Sequence, residues 1–297
     1  MSDTLLVTGA SGHLGRRVIH HLLHTLKVPP ARIIATTRKP ETLADLAALG
    51  VVVRAADFES AESLASAFAG ADRLLLISTD ALDRPGRRLA QHQAAVAAAV
   101  QAGVKHVVYT SMPQPEPGSP IPFAPDHYGT EQALAASPLA GWTVLRNHWY
   151  FENLFMSLPS VLPSGQWFSA AGNGGIAHIA RDDLGRAAAA VLAGSATGKN
   201  TYTLSGAQAF TTGEIAQLIS ATQDKPIQVI PAPVEGLIQG MVSAGLPPPL
   251  AAVFASFDTN TAAGRVGEVT EDFQKLTGVA PQPFAAWLAE NKAALAG

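Results

Sequence analysis

The sequence predicts an α/β protein with a doubly wound parallel sheet and a smaller C-terminal α+β lobe. Short β-rich segments alternate with helical patterns over the first half of the chain, which is typical of a parallel sheet with helices on both faces. The first β-rich segment, Thr4 to Thr8, leads directly into a glycine-rich turn and an apolar-periodic helix. Beyond Asn147 the alternation becomes looser, which favours a second, smaller lobe.

Six strands are expected where aliphatic and β-branched residues cluster between helical patterns. Leucine and valine recur at helical spacing between these clusters, as in Leu14, Val18 and Leu22, so the helices are expected to pack on the sheet. Right-handed crossovers then place a ligand crevice at the C-terminal ends of the strands. The strands are predicted at 4–8, 32–37, 51–54, 73–78, 105–110 and 142–146.

Proline and turn signals divide the remainder of the chain. The segment 112–122 contains five prolines, which fix the backbone and remove donors, so it is expected to form a loop at the crevice. Further elements are predicted as a turn at 168–175, a helix at 182–192, a strand at 202–204, a helix from Thr211 or Thr212 to about 222, a strand at 227–230, and helices at 234–244, 249–257 and 283–295.

Composition excludes several classes of function. The net charge is −3 and no basic run with interleaved aromatic residues occurs, so nucleic acid is not expected as a partner. The absence of cysteine excludes disulfides, thiolate metal sites and a cysteine nucleophile. No long uncharged apolar segment or targeting signal is present, so we expect a cytoplasmic protein that does not bind membranes. Composition leaves a homodimer open.

The turn after the first strand has the spacing of a dinucleotide-binding fingerprint. Gly9 allows the tight turn, Gly12 allows the backbone to approach a pyrophosphate, and Gly15 allows the helix to pack closely on the strand. The helix N-terminus adds unpaired N–H groups and a positive dipole end. The motif predicts a Rossmann-type fold whose cofactor contacts Gly9, Ser11, Gly12, His13, Leu14 and Gly15.

Basic residues at the end of the second strand predict NADP(H) as the cofactor. An acidic residue there would bind the 2′-hydroxyl of NAD, whereas Arg38, with Lys39 beside it, can pair with a 2′-phosphate. The alternative for Arg38 is a solvated surface charge. Asp57 and Phe58 are expected at the adenine and Ser78 at the middle of the cofactor, although each could be a cap or loop residue. Residues 1–150 are thus predicted as the NAD(P)-binding core, and 151–297 mainly as a substrate lobe with some segments returning to the core.

Five segments of the chain also carry a family resemblance. They are Thr8 to Gly15, Thr37 to Pro40, Val53 to Phe58, Gly103 to Ser111 and Leu145 to Tyr150. Together they resemble atypical short-chain dehydrogenases of the NmrA-like type, and within them the NADPH:quinone oxidoreductase and triphenylmethane reductase subgroup. The resemblance implies NADPH as the cofactor and quinones or extended conjugated cations as substrates.

The helix after the fifth strand carries the candidate catalytic residues. Ordinary short-chain dehydrogenases use a serine and a Tyr-x-x-x-Lys pair, whose lysine lowers the pKa of the tyrosine. Here Ser111, also a candidate cofactor contact, precedes Tyr128, but Gln132 stands at the lysine position. The resemblance implies His127 instead, and an imidazole with a pKa of about 6.5 could donate a proton near neutral pH. A surface histidine and a packed tyrosine are the alternatives.

Asn147, Trp149 and Tyr150 follow the sixth strand and are the candidate substrate contacts. Flat aromatic side chains at a crevice suit a flat substrate, but they could instead attach the second lobe to the first. No metal is expected: His20 and His24 share a helix face without an acidic or cysteine partner nearby. Paired aspartates at 182 and 183 are expected to cap a helix.

These features predict an NADPH-dependent oxidoreductase that transfers hydride to a quinone or a similar conjugated aromatic acceptor. The alternative is a redox sensor that binds NADP(H) without turnover and regulates a protein partner, since Gln132 replaces the usual lysine. A nucleotide-sugar epimerase is disfavoured, because it needs the tyrosine–lysine pair and tightly bound NAD.

Overall fold

A seven-stranded parallel sheet forms the centre of the computed structural model, which describes residues 3–296. Met1, Ser2 and Gly297, which the two predicted domains include, lie outside the described residues. The strand order is β3-β2-β1-β4-β5-β6-β9 and every neighbouring pair is parallel. The strands are β1 (Leu5–Val7), β2 (Ile33–Thr37), β3 (Val52–Ala55), β4 (Arg73–Leu76), β5 (His106–Ser111), β6 (Gly141–Asn147) and β9 (Lys199–Leu204).

Helices cover both faces of this sheet. The side chains of each strand alternate between the two faces, so one strand can contribute to both apolar layers. Within β1, Leu5 and Val7 belong to the apolar layer under α1 (His13–His20) and α7 (Arg181–Ala193). Leu6 belongs to the opposite layer. That layer contains residues of α3 (Ala61–Phe68), α4 (Arg87–Gln101) and α5 (Ala124–Ala136). The predicted doubly wound α/β sheet and its first six strands are therefore confirmed.

The chain after residue 150 contributes to two layers of the molecule. The helix α7, the strand β9 and α11 (Asp272–Thr277) join the central sheet and its helical cover. Phe151 begins a separate apolar cluster that includes residues of α6 (Leu154–Ser164), α8 (Thr212–Gln223) and α12 (Phe284–Glu290). The other elements are α2 (Ala44–Ala48), β7 (Gln166–Ser169), β8 (Gly175–Ile176), β10 (Phe210–Thr211), β11 (Gln228–Pro231), α9 (Val234–Ser243), α10 (Pro248–Ala262) and α13 (Lys292–Leu295).

Two helices of this second half have no counterpart in the sequence prediction. The helix α6 contains Pro159 and Pro163, and internal prolines argue against a helix in any local pattern. Tertiary packing overrides them, since Leu158 and Leu162 of α6 are buried in the separate cluster. The helix α11 is only six residues long, too short for a periodic signal. None of the helices within residues 3–296 has the length and apolarity that a membrane span needs.

Candidate active site

The glycine turn between β1 and α1 has the geometry that its sequence predicts. Gly9 has a φ of +58°, a left-handed conformation that favours glycine. A Cβ on Gly15 would collide with the carbonyl oxygen of Gly9 and lie 2.8 Å from the Cα of Ala10. The first turn of α1 can therefore approach the end of β1 only with glycine at this position.

The same turn leaves several backbone donors free. Gly12 is the N-cap residue of α1 and supplies no side-chain cap. The backbone N–H groups of Ser11, His13, Leu14 and Gly15 make no hydrogen bond to any residue between 3 and 296. The side chains of Ser11 and His13 are exposed, whereas Leu14 is buried and offers the turn only its backbone. Four open donors at a helix N-terminus form a site that fits a phosphate or pyrophosphate.

Thr37, at the end of β2, joins this turn to the two candidate phosphate cations. Its Oγ1 lies 2.9 Å from the Oγ of Ser11 and accepts a 3.3 Å hydrogen bond from the backbone N–H of Lys39. The side chains of Arg38 and Lys39 are exposed, and neither forms an ion pair within the described part of the chain. Local sequence does not predict this role of Thr37, because the contact depends on the approach of β2 to the turn.

The three residues predicted beside the adenine and the middle of the cofactor also have structural contacts. The Oδ1 of Asp57 accepts a 2.9 Å hydrogen bond from the N–H of Glu59, and the half-buried Phe58 packs against the layer under α3 and α4. The N–H of Ser78 donates to Thr110 Oγ1 at 2.9 Å, which links the ends of β4 and β5. Their cofactor contacts remain predictions.

The helix α5 turns a polar face towards the sheet. His127, Thr130 and Glu131 are buried, as is Leu134 on the same face one turn later. Tyr128 is half-buried, and Gln132 is exposed. The position that lacks the usual lysine is therefore exposed, whereas His127 lies on the buried face of α5.

A chain of buried polar side chains surrounds His127. Its Nδ1 lies 2.9 Å from the hydroxyl of Tyr109, whose oxygen is also 3.4 Å from His92 Nδ1. Burial, with a smaller effect of the Arg88 charge, lowers the pKa of His127 well below its ordinary value. The imidazole is therefore neutral at pH 7, so any proton that this residue donates comes from a neutral N–H group, and its role as a donor stays a prediction.

Ser111 belongs to a second network that extends to the proline-rich loop. Its hydroxyl donates to Glu131 Oε1 at 2.6 Å. Glu131 in turn accepts from both Nε and Nη2 of Arg146, at 3.1 and 2.7 Å, and Arg146 Nη2 also contacts Glu116 Oε1 at 2.7 Å. The loop 112–122 is thus fastened to the end of β6, at the crevice edge where it was predicted.

Arg88, at the start of α4, is a buried cation that sequence reasoning did not identify. Its side chain is 7% exposed, and its Nε donates to the carbonyl oxygen of Thr79 at 2.6 Å. The guanidinium lies 5.4 Å from the centre of the Phe123 ring. Its Nη1 is buried without a partner among residues 3–296. A buried cation with an open donor is costly for folding alone and marks a candidate site for an anionic or carbonyl oxygen.

The aromatic residues after β6 contact both lobes. Trp149 lies 5.3 Å from Phe257 of α10, measured between ring centres, and Phe123 lies 6.2 Å from Phe257. The Tyr150 ring is covered by the Arg181 guanidinium at 5.2 Å, and Asn147 is buried with an Oδ1 that has no partner in the described chain. Attachment of the second lobe is therefore visible, while contact with a substrate remains a prediction for all three residues.

The aspartate pair at the start of α7 does not cap the helix as predicted. Ala180 is the N-cap residue, and the N–H of Arg181 donates to Glu152 instead. Asp182 contacts Arg17 and His21, and Asp183 accepts a 2.7 Å hydrogen bond from the N–H of Gln282. Elsewhere on this surface the rings of His20 and His24 lie 4.7 Å apart. No group of three His, Asp or Glu side chains within residues 3–296 is arranged to hold a metal ion.

Several known proteins are similar to this chain in sequence and fold over nearly the full length of both chains. The model of the NmrA-like family matches residues 1–288. Quinone oxidoreductase 2 of Escherichia coli is 36% identical over 274 residues, which cover 92% of this chain and 93% of that protein.

Two solved structures with bound cofactor are similarly close. The crystal structure of the NADPH-dependent quinone oxidoreductase of Escherichia coli complexed with NADPH has a TM-score of 0.89 and 35% identity, and covers 98% of this chain and 99% of its own. The triphenylmethane reductase of Citrobacter sp. complexed with NADP(H) has a TM-score of 0.87 and 37% identity, and covers 96% and 99%.

Proposed function

Because this chain belongs to the NmrA-like family, we propose that it is an NADPH-dependent oxidoreductase that reduces quinones or similar conjugated acceptors. The observation that carries this proposal is the glycine turn between β1 and α1, whose free backbone N–H groups lie near the exposed side chains of Arg38 and Lys39. Its relatives support the same chemistry, since they include a quinone oxidoreductase and a triphenylmethane reductase with NADPH or NADP(H) bound.

The cofactor is held through its phosphates. The free N–H groups of residues 11 and 13–15 bind the pyrophosphate, and Arg38 with Lys39 binds the 2′-phosphate. Asp57 and Phe58 contact the adenine, while Ser78 and Ser111 lie along the rest of the cofactor. When bound, NADPH supplies the hydride.

On the acceptor side of the site, the reaction needs stabilisation of negative charge more than it needs a strong acid. Reduction of a quinone places negative charge on an oxygen, and a prearranged donor or cation stabilises such charge. Neutral His127 and the open Nη1 of Arg88 are the groups available for this, with Tyr128 as a second candidate donor. Trp149 and Tyr150 supply flat aromatic surface, and Asn147 supplies a side-chain carbonyl oxygen that has no partner among residues 3–296.

An acceptor panel tests the proposal. We expect quinone-dependent oxidation of NADPH, faster with flat, electron-poor quinones than with simple aldehydes, and weaker binding of NADH in a fluorescence titration. Tight NADPH binding with no oxidation by any quinone or cationic dye would contradict an enzymatic role and favour the redox-sensor alternative. A homodimer and a cytoplasmic location belong to the same proposal, and light scattering checks the first.

A further inference from the structure

A buried hydrogen-bond chain beneath α5 determines which ring nitrogen of His127 carries the proton. We infer that His92, Thr130 and Tyr109 hold His127 as the Nε2–H tautomer, so that it presents a donor to the acceptor oxygen. These three are positioning residues, and the role of the donor rests on the proposed function. The tautomer follows from the hydrogen bonds in three steps.

The first step assigns the proton of His92. The backbone N–H of Thr79 lies 3.0 Å from His92 Nε2, and a backbone N–H can only donate. Nε2 must therefore accept, which leaves the proton of the neutral ring on Nδ1. Burial, together with the Arg88 charge, lowers the pKa of His92 to about 3, so the ring does not carry a second proton at neutral pH.

The second step uses Thr130 as the partner of that proton. Its hydroxyl donates to the carbonyl oxygen of Asp126 at 2.6 Å. Its Oγ1 lies 2.9 Å from His92 Nδ1, and because the hydroxyl proton is already used, Oγ1 accepts from Nδ1–H. The assignment made from Thr79 and the one made from Thr130 agree.

The Tyr109 hydroxyl connects His92 to His127 and so determines the proton position of the His127 ring. The Tyr109 hydroxyl lies near two ring nitrogens, His92 Nδ1 at 3.4 Å and His127 Nδ1 at 2.9 Å. It cannot donate to His92 Nδ1, which already bears a proton. Thr130, which also lies beside this hydroxyl, already accepts from His92 Nδ1–H. The nearest acceptor, His127 Nδ1, therefore takes the Tyr109 proton, and the proton of the neutral His127 ring is on Nε2.

The Nε2 atom of His127 is the ring nitrogen that remains available to a ligand. Nε2 makes no hydrogen bond to any residue from 3 to 296, and it points away from Tyr109 because the two ring nitrogens face nearly opposite directions. The Phe123 ring, which also lies under the guanidinium of Arg88, is 6.1 Å from the His127 ring. The two open donors of the site thus flank one aromatic side chain.

Nitrogen-15 NMR of histidine-labelled protein tests the inference without any turnover. We expect opposite neutral tautomers for two neighbouring rings, Nδ1–H for His92 and Nε2–H for His127, each assigned with a single His→Gln variant. In Tyr109→Phe the His127 signal should change to a mixture of tautomers. Tyr202→Phe is the matched control, because it removes a hydroxyl from β9 of the same sheet and should change neither ring.

Two results would overturn the inference, whatever the fate of the proposed function. One is an Nδ1–H tautomer for His127 in the unmodified protein, and the other is an unchanged His127 tautomer in Tyr109→Phe. If the protein reduces quinones, the same variant should lower kcat by about two- to tenfold, the range for one hydrogen bond, and leave KM for NADPH unchanged. An equal loss of kcat in Tyr202→Phe would also contradict the positioning role.

Discussion

At the scale of single residues, the side chains proposed to determine the cofactor preference differ from those proposed to bind the acceptor. Arg38 is exposed and has no ion pair in the described chain, so its charge is available to a ligand. Sequence reasoning could identify it, because in dinucleotide-binding folds a residue about 20 positions after the glycine motif contacts the ribose. Arg88 could not be identified in this way, since its burial depends on how α4 meets the Thr79 loop.

Arg38→Ala should raise KM for NADPH by about tenfold to a hundredfold, the range for a charge-assisted hydrogen bond. KM for NADH should stay nearly constant, because NADH has no 2′-phosphate. Steady-state kinetics with both cofactors measures the difference, and Arg38→Lys, which keeps the charge, should retain part of the preference. Equal changes for the two cofactors would show that Arg38 does not bind the phosphate.

The buried chain of Tyr109, His92 and Thr130 marks the limit of residue-scale prediction. The sequence shows a histidine, a threonine and a glutamate on one face of α5, but not which side chains of α4 and β5 meet them. Their partners become visible only when helix and strand are packed together. The neutral state of His127 follows from that burial, which local sequence does not reveal.

At the scale of elements, the turn from β1 to α1 was predictable because backbone geometry controls it. Gly9, Gly12 and Gly15 have spacings that define both the turn and the helix start. The rotation of α5 was not predictable, since the pattern around Tyr128 fits two orientations. The structure buries His127 and exposes Gln132, so the two candidate positions on this helix differ in their environment.

Gly15→Ala should disrupt the cofactor site. The new methyl group would meet backbone atoms of Gly9 and Ala10, which can yield only if the turn opens, and overpacking of this kind costs about 1–3 kcal/mol of stability. We expect NADPH affinity to fall by more than tenfold, measured by fluorescence titration. Gly240→Ala is the control: its Cβ has open space within α9, and it should stabilise by about 0.5–1 kcal/mol. Unchanged NADPH binding in Gly15→Ala would refute the close approach.

At the scale of the whole molecule, the central sheet and most elements of the second half were predictable, including the helices near 182–192, 212–222 and 234–244, but the packing of the second lobe was not. Aliphatic strands between helical patterns leave little choice of architecture. The second lobe depends on tertiary contacts instead: α6 forms despite two prolines, and β9 completes the sheet from far along the chain. Its substrate contacts are correspondingly the least predictable part of the site.

Buried neutral histidines should make the folded protein sensitive to acid. Burial lowers the pKa of His92 and His178 to about 3 and of His106 and His148 to about 4. These rings stay neutral in the folded state, whereas in the unfolded chain they bind protons below pH of about 6.5. The unfolded state then holds more protons, so the free energy of unfolding decreases as pH falls from about 6.5 towards 4.

Each such histidine changes the free energy of unfolding by up to about 1.4 kcal/mol per pH unit in this range. Asp183 acts in the opposite sense, because burial raises its pKa to about 6 and the folded state takes up its proton first. One carboxyl cannot offset four imidazoles, so urea denaturation should show lower stability at pH 5 than at pH 7. His106→Gln, which is remote from the site, should reduce the slope. A stability that is equal at both pH values would contradict this account.

The most direct test of the central claim is a single-turnover measurement. Protein loaded with NADPH is mixed with an excess of a naphthoquinone, and the loss of nicotinamide absorbance is followed with and without deuterium at the transferred C4 position. We predict rapid oxidation that slows with deuterium and yields one equivalent of hydroquinone. Bound NADPH that stays reduced in the presence of every quinone tested would contradict the claim.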